Sequence, residues 1–557
     1  MKKWTIRGLW ILGLIALQVA STFWYFRLDL TEEKRYSLSD ATQSLLQKLE
    51  EDVVIRVYLT GEQLPGGFKR LEKAIAEQLE EYKALAGRRI SYDFVDIQAI
   101  SDPEERKKQM EELIAKGMQP TQIFDTKGGN RIETLIFPYA TVWQNNREMI
   151  VLLLKGNQTL SAQERLNQSY ENIEFAFSSA IRQVQSQEKK KIGLLSEFTA
   201  KSPDYFAGMI TTLQSYYDVY ILDAKASVTF DGLDALIVPK PERRLDDSTK
   251  WKIDHYVASG GRALFFVDGQ QVDSIGLQGT FARPVETGLE DLFFHWGIRL
   301  NTDLVKDAGS AQPIPMVVGA VGNRPTIQPV PFRFFPLVNQ FGPSVITRNL
   351  DRVATKFASS LTEVKDAHGL MKTPLLQTTP YTKTLQAPAL VSFEESRDTP
   401  DLDDYTAGVL TLAYLIEGVP GSMYQSRLLP SDPRASLYSK VNGPTKVVIC
   451  ADGDAIVNEM DPKTGNPMPL GWDRLTNQTY GNTDFVLNAV DYLVDENGVI
   501  TARNKEIKIR PLDKKKIQED RTFWQVILLG GPVVFLGLLG GVWTWRLRKK
   551  YGVLSTT

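Results

Sequence analysis

The chain has 557 residues, 43% of them hydrophobic and 24% charged, a balance that excludes intrinsic disorder and supplies apolar surface for more than one core. A net charge of -2, with Lys and Arg scattered along the sequence, argues against nucleic acid as a partner. One cysteine, Cys450, and three histidines, His255, His295 and His368, exclude an intrachain disulfide framework and leave too few ligands for a Cys/His metal centre, so neither metal nor cofactor is expected.

The first element is an uncharged run from Gly8 to Phe26, long enough as a helix to cross a hydrocarbon core of about 30 Å. Lys2, Lys3 and Arg7 precede it, which keeps the N-terminus cytoplasmic, and the Phe23 to Phe26 aromatics suit the far interface. A cleaved signal peptide is the rival reading, with Val19-Ala20-Ser21 as its small-residue site, although bulky aromatics follow directly. Residues 1–26 are thus expected to be a transmembrane helix with a cytoplasmic tip.

Residues 27–187 are read as a periplasmic α/β domain with a connector helix. Ser39 is a plausible N-cap, and the strand-like Val53 to Thr60 leads through Pro65-Gly66-Gly67 into a helix from Phe68 to Ala86 with Leu71, Ile75, Leu79 and Tyr82 on one face. A second strand over Arg89 to Ile97, a helix near Pro103 to Lys116 and a hairpin turning at Asn145-Asn146 follow. A long polar-faced helix from Ser161 to Gln187 would bridge to the next domain.

From Lys191 short apolar strands alternate with helices: KIGLLSEF, a helix near Asp204 to Tyr217, VYILD, ALIVPKP, a helix from Asp246 to Ala258, and ALFFVD. That alternation predicts a mostly parallel sheet with crossover helices, spanning 188–500. The Pro-rich stretch 282–396 reads as an irregular insertion. Strands return at AGVLTLAYLIEG and KVVICADGD, followed by a helix from Asn482 to Val494. A juxtamembrane segment, 501–521, leads into a second uncharged run, 522–545, which Arg546, Arg548, Lys549 and Lys550 stop, leaving 546–557 as a cytoplasmic tail. The expected fold class is therefore α/β, with two transmembrane helices flanking a multidomain periplasmic region of an inner-membrane protein. Gly530, Gly537 and Gly541 share one side of the second span, and Gly13, Ala16 and Ala20 form a similar stripe on the first, so both are candidate helix-packing faces.

Three motifs bear on chemistry. No G-x-x-x-x-G-K-[ST] stretch exists, Gly443-Pro-Thr-Lys446 being only a partial imitation, so ATP hydrolysis is expected on a partner subunit. Cys450 lies in an apolar strand with no histidine near it in sequence, which reads as a core thiol, with an amidotransferase nucleophile as the rival. Asp452 and Asp454 follow that strand where open α/β sheets bind ligands; they are candidate ligand-binding residues, or else a β-turn whose carboxylates cap backbone amides.

Arg27-Leu-Asp-Leu-Thr31 with Arg35-Tyr-Ser-Leu-Ser39, Gly260-Gly-Arg262 before a strand ending in Asp268, and Asn482-Thr-Asp-Phe485 with Asn488 and Tyr492-Leu493 occur in an order that resembles the GldG-like auxiliary components of gliding-motility ABC transporters. The resemblance spans nearly the whole chain. It implies a non-catalytic accessory subunit working with separate ABC permease and ATPase subunits, homo-oligomeric within the complex in one reading, and a middle domain similar to class I glutamine amidotransferases. Where relatives carry Gly-His-Gly-Glu after the first strand of that domain, this chain has Ser196-Glu197-Phe198-Thr199, which removes support for a ligand role there. An amidotransferase-like periplasmic hydrolase and a glycan-binding envelope scaffold are the alternatives.

Overall fold

The computed structural model describes residues 37–551 except 63, 128–129, 155–161, 187, 273, 277, 322–323, 426–442, 496–497 and 499–519. The apolar run from Gly8 to Phe26, with Gly13, Ala16 and Ala20, lies outside the described residues, as does most of 501–521. The chain divides into two compact units, Met1–Glu506 and Ile507–Thr557.

In the first unit, helix α1 (Asp40–Gln47) is capped by Ser39, whose Oγ accepts from Thr42 N at 3.3 Å. Strand β1 (Val53–Val57) alternates buried and exposed residues, and helix α2 (Gly66–Ala86) buries Leu71, Ile75, Leu79 and Tyr82 completely. Their spacing of four, four and three keeps them on one face. Because β2 (Ile90–Phe94) pairs parallel to β1, α2 is the crossover between them. Helix α3 (Pro103–Ala115) starts at its Asp102 cap. A hairpin of β3 (Thr121–Lys127) and β4 (Asn130–Ile136) follows, then a second of β5 (Tyr139–Gln144) and β6 (Arg147–Leu152), giving a sheet of order β2-β1-β5-β6. The turn at Asn145-Asn146 is as expected, with Asn145 at φ 53°. Pro138 lies between β4 and β5 and separates the two hairpins.

Helix α4 (Ala162–Gln185) is not polar-faced. Leu166, Tyr170, Ile173, Phe177, Ile181 and Val184 are buried, and so are Ser169, Glu174 and Ser178. Against α2, Tyr82 Oη donates to Glu174 O at 2.9 Å. On the other side Phe175 packs with Val345 and Tyr492, and Arg182 pairs with Asp495 at 2.8 Å. The serines and Glu174 that looked solvent-facing are hydrogen-bonding groups inside a helix held from two sides.

The larger α/β part contains β7 (Lys191–Leu194), α5 (Ala207–Gln214), β8 (Asp218–Ile221), β9 (Ala235–Pro239), α6 (Asp247–Ala258) and β10 (Ala263–Phe266). The stretch expected to be irregular is built largely of strands: β11 (Thr280–Pro284), a short helix α7 (Glu290–His295), β12 (Ile298–Leu300), β13 (Asp303–Asp307), β14 (Ala311–Val321), β15 (Arg324–Val338), β16 (Leu361–Glu363), β17 (Met371–Gln377), β18 (Thr382–Gln386) and β19 (Ala389–Val391). Then come β20 (Thr411–Gly418), β21 (Thr445–Cys450) and α8 (Asn482–Val494). Strands β8-β7-β9-β10-β21 are parallel in that spatial order, and β20, β16 and β12 continue the sheet antiparallel. The late strands thus return to the sheet begun at Lys191, as the sequence predicts.

Alternate residues of the parallel strands face two cores. Ile192, Ile237, Leu264, Phe266, Val448 and Cys450 pack beneath α5 and α8, while Leu236, Val238, Phe265, Val447 and Ile449 pack beneath α6 and α7. The sheet is mixed rather than mostly parallel, because β17 also pairs antiparallel with β20 and only the five strands from β8 to β21 run parallel; helices on both its faces make a three-layer α/β arrangement. In the second unit, α9 (Arg521–Tyr551) is a single helix of 31 residues that continues through the basic residues past Trp545. The most apolar 18-residue window of its Arg521–Lys549 portion has mean hydropathy 2.1 with none of it buried, and α9 is the one described helix long and apolar enough to cross a membrane.

Candidate functional site at the strand ends

Three neighbouring parallel strands end in charge. β9 runs into Lys240, β10 into Asp268, and β21 into Asp452-Gly453-Asp454. Because Phe266 stands opposite both Pro239 and Cys450, these residues emerge together at the carboxyl edge of the sheet, where α/β folds bind ligands.

Lys240 is the hub. It is 5% exposed, holds a left-handed backbone at φ 42°, and donates from Nζ to Asp268 Oδ2 at 2.7 Å and pairs with Asp454 Oδ2 at 3.0 Å. The other oxygen of Asp268 accepts from Gly453 N at 2.6 Å. Asp452, fully buried, accepts from Asp454 N and from Lys356 N, both at 2.8 Å. Lys356 in turn reaches Glu459 at 2.6 Å. A Cβ on Gly453 would stand 2.6 Å from Asp268 Oδ2 and 2.7 Å from Lys240 Cγ, so the side chains are packed directly onto backbone.

The electrostatics follow from burial and this one cation. Desolvation pushes the Asp452 carboxyl well above the usual range, and the neighbouring Asp454 and Asp268 carboxylates add to the shift. Asp268 is raised by desolvation against the pull of Lys240. Asp454 is also desolvated, but Lys240, with help from Lys356 and Lys201, outweighs that and holds it below the usual range. Lys240 is raised, because Asp268 and Asp454 overcome its desolvation. The arrangement is a hydrogen-bonded network in which Lys240, Asp268 and Asp452 are buried and the Asp454 carboxylate is 25% exposed.

The adjoining crevice, between β7 and β9, is where the strand order changes direction. It is laced shut by backbone. Glu242 N and Arg243 N both donate to Phe198 O, at 2.9 and 3.0 Å, and Arg243 Nη2 donates to the carbonyls of Glu197 and Thr199 at 2.7 and 2.8 Å. Glu242 Oε2 accepts from Ala200 N at 2.6 Å, and Glu197 Oε1 from Ala224 N at 3.1 Å. The Ser196 to Thr199 turn therefore serves as a fastening between two loops.

Residues 189–489 match the family described as an ABC-type uncharacterized transport system, over more than half the chain. The chain belongs to this auxiliary family. Residues 32–143 match a second family, a domain of unknown function. No curated protein matches. Among solved structures, the mmIFT52 N-terminal domain is similar at 10% identity and TM-score 0.30, covering 54% of this chain and 96% of that one.

The residues of this ABC-auxiliary chain singled out in its sequence now have positions. Asp452 and Asp454 sit side by side, but their oxygens point to different partners: Asp452 to two backbone amides, Asp454 to Lys240. Cys450 is fully buried under α8, and desolvation pushes its thiol well above the ordinary value, as for a core thiol. Gly530, Gly537 and Gly541 lie on α9 with open space where a Cβ would be.

Asn482, Asn488 and Tyr492, noted for their resemblance alone, are fasteners. Asn482 clamps Ala354 by accepting from its N–H at 3.0 Å and donating to its carbonyl at 2.9 Å, and also donates to Ala455 O at 3.0 Å. Asn488 Nδ2 donates to Ile346 O at 2.9 Å, and Tyr492 Oη to Glu417 at 2.7 Å. Sequence reasoning missed Lys240 and Lys356. The signal for Lys240 was a lysine directly after a fully apolar strand, a position that solvent does not explain. Among the described residues no group of three or more His, Cys, Asp or Glu is arranged to hold a metal.

Proposed function

We propose that the chain is a non-catalytic accessory subunit of an ABC transport complex, held in the inner membrane and working beside separate permease and ATPase subunits. Membership of the auxiliary family supports the transport role. The observation that carries the non-catalytic reading is the strand-end network: Lys240, Asp268, Asp452 and Asp454 bind one another and backbone amides at the edge where a related α/β enzyme would keep its substrate groups. In this reading Asp452 and Asp454 serve the fold. The amidotransferase-like kinship is one of architecture, without a reactive thiol.

The apolar α9, ending in Arg546, Arg548 and Lys549, supports a C-terminal anchor with its basic end in the cytoplasm. Together with an N-terminal span over the Gly8 to Phe26 run, this reading has the α/β region in the periplasm. The Gly530, Gly537 and Gly541 side would then pack against a membrane partner or against the Gly13, Ala16 and Ala20 stripe. Service in surface gliding is the specific role that the sequence resemblance implies.

The test is purification of the full chain in mild detergent with mass spectrometry of what stays bound. An ATPase and a permease subunit are expected at fixed ratio, with nucleotide hydrolysis lost when the ATPase is stripped away. A chain that purifies free of both, or hydrolyses glutamine or ATP alone, overturns the proposal. Val228, 79% exposed, replaced by cysteine should react with a membrane-impermeant maleimide from outside the inner membrane, with buried Cys450 silent.

A further inference from the structure

The β14–β15 hairpin carries a chemistry that nothing above uses. Its two faces differ completely. On the inner face Ile314, Met316 and Phe332 are buried in a core with Leu304, Phe334 and Val391. On the outer face three facing pairs stand in a row: Pro313 opposite Pro331, Pro315 opposite Pro329, and Val317 opposite Ile327. All six are apolar. Val317 is 48% and Ile327 61% exposed, and from Ala311 to Phe332 the only charge is Arg324.

The prolines also determine how this plate can be approached. Proline has no N–H, so a proline opposite a proline occupies a pair whose N–H groups would point away from the partner strand, toward the outer edges. At those positions both edges lack donors, and a further strand cannot add there. Contact must come face-on. The plate, about 17 Å long by two strands wide, offers roughly 200 Å², well short of the ~800 Å² per partner that a free-standing dimer buries. It contains no Trp, Tyr, Lys or Phe of the kind that anchors a hairpin at a lipid headgroup interface.

We infer that this outer face docks against a shallow, uncharged apolar surface on another protein subunit of the transport complex, where a small contact suffices because other contacts already hold the two chains together. The inference rests on the accessory-subunit reading. It specifies the surface and the partner chemistry: apolar, face-on, with no strand addition.

The test places p-benzoylphenylalanine at Ile327 in the full-length chain in its own cells, with Val228 as the exposed control position. The expected result is an adduct from position 327 with a protein subunit of the transporter, none from 228, and a fall of about tenfold in that adduct when Val317→Lys puts a charge on the plate. Val317 points outward, so the variant should keep the wild-type melting temperature. An adduct of twice the chain's mass would assign the plate to a second copy, and labelling of lipid alone would assign it to the membrane; either overturns the inference. If the chain co-purifies with permease and ATPase yet position 327 gives no adduct, the inference fails and the accessory reading stands. If it co-purifies with neither, both fail.

Discussion

The strand-end network and the outer plate of the β14–β15 ribbon are opposite solutions to exposure. In the first, a lysine and three aspartates sit where α/β folds usually meet ligands, and each is bound to another or to backbone. In the second, six apolar side chains lie at the periphery, on the face the ribbon turns away from its core. Chemistry retained inside stabilises the fold. Chemistry left outside is what remains available to partners. In the proposed accessory role, a chain arranged this way works by contact.

The largest effect should come from breaking the network at its hub. Lys240→Met leaves Asp268 and Asp454 without their cation, and losing one partner of a buried pair costs about 3–5 kcal/mol. Urea unfolding should show that loss, whereas Lys at Val317 and Ile327 together should move stability by no more than about 0.5 kcal/mol. Comparable losses at both places would erase the contrast. Next in size is Asn482→Ala. It releases both sides of the Ala354 peptide and Ala455 O, at a cost of about 1–3 kcal/mol.

The network also predicts a pH dependence. Lys240 has a folded pKa above its ordinary 10.5, so its contribution is complete below 10.5 and is lost only as pH rises through the raised folded value. The stability gap between wild type and Lys240→Met should therefore hold flat from about pH 6 to about pH 10. A gap that closes within that window would mean the lysine is not held by the aspartates. Asp268 and Asp452 act in the same sense, from a lower starting pH. Their raised carboxyls favour the fold below 3.8, and that contribution is lost as pH rises through the folded values.

A small effect on stability should come from the ribbon edges. Replacing Pro315 and Pro329 by Val restores N–H groups to both outer edges, and stability should change by no more than about 1 kcal/mol. Association should change more. Sedimentation should reveal concentration-dependent oligomers from edge pairing that the wild-type chain does not form. Unchanged sedimentation would show that the prolines do not guard the edges.

Much of this architecture was legible where local pattern and burial coincide. The Leu71, Ile75, Leu79 and Tyr82 stripe, the helix from Asn482 to Val494 and the apolar strands from Lys191 to Phe266 all declare themselves by period. Asp452 was visible as a strand-end carboxylate. Its partners were not, because Gly453 meets Asp268 across 185 positions and Lys356 reaches Asp452 across 96. No local pattern encodes such a meeting. The ribbon was hidden differently: Pro313, Pro315, Pro329 and Pro331 read as strand breakers, and only pairing reveals that each occupies a position where no N–H is needed. Helix α4 misled because its serines and Glu174 are polar groups that bond inside the fold.

The central claim is that the strand-end network is structural, and a double variant tests it most directly. Lys240→Met with Asp268→Asn removes the buried charge pair while the Asn oxygen can still accept from Gly453 N. A structural role predicts recovery of about 1–3 kcal/mol relative to Lys240→Met alone, together with wild-type recovery of the proposed permease and ATPase partners in pull-downs of the full chain. A folded double variant that has lost transporter function while still binding those subunits would contradict it, by showing that the charges act on something other than the fold.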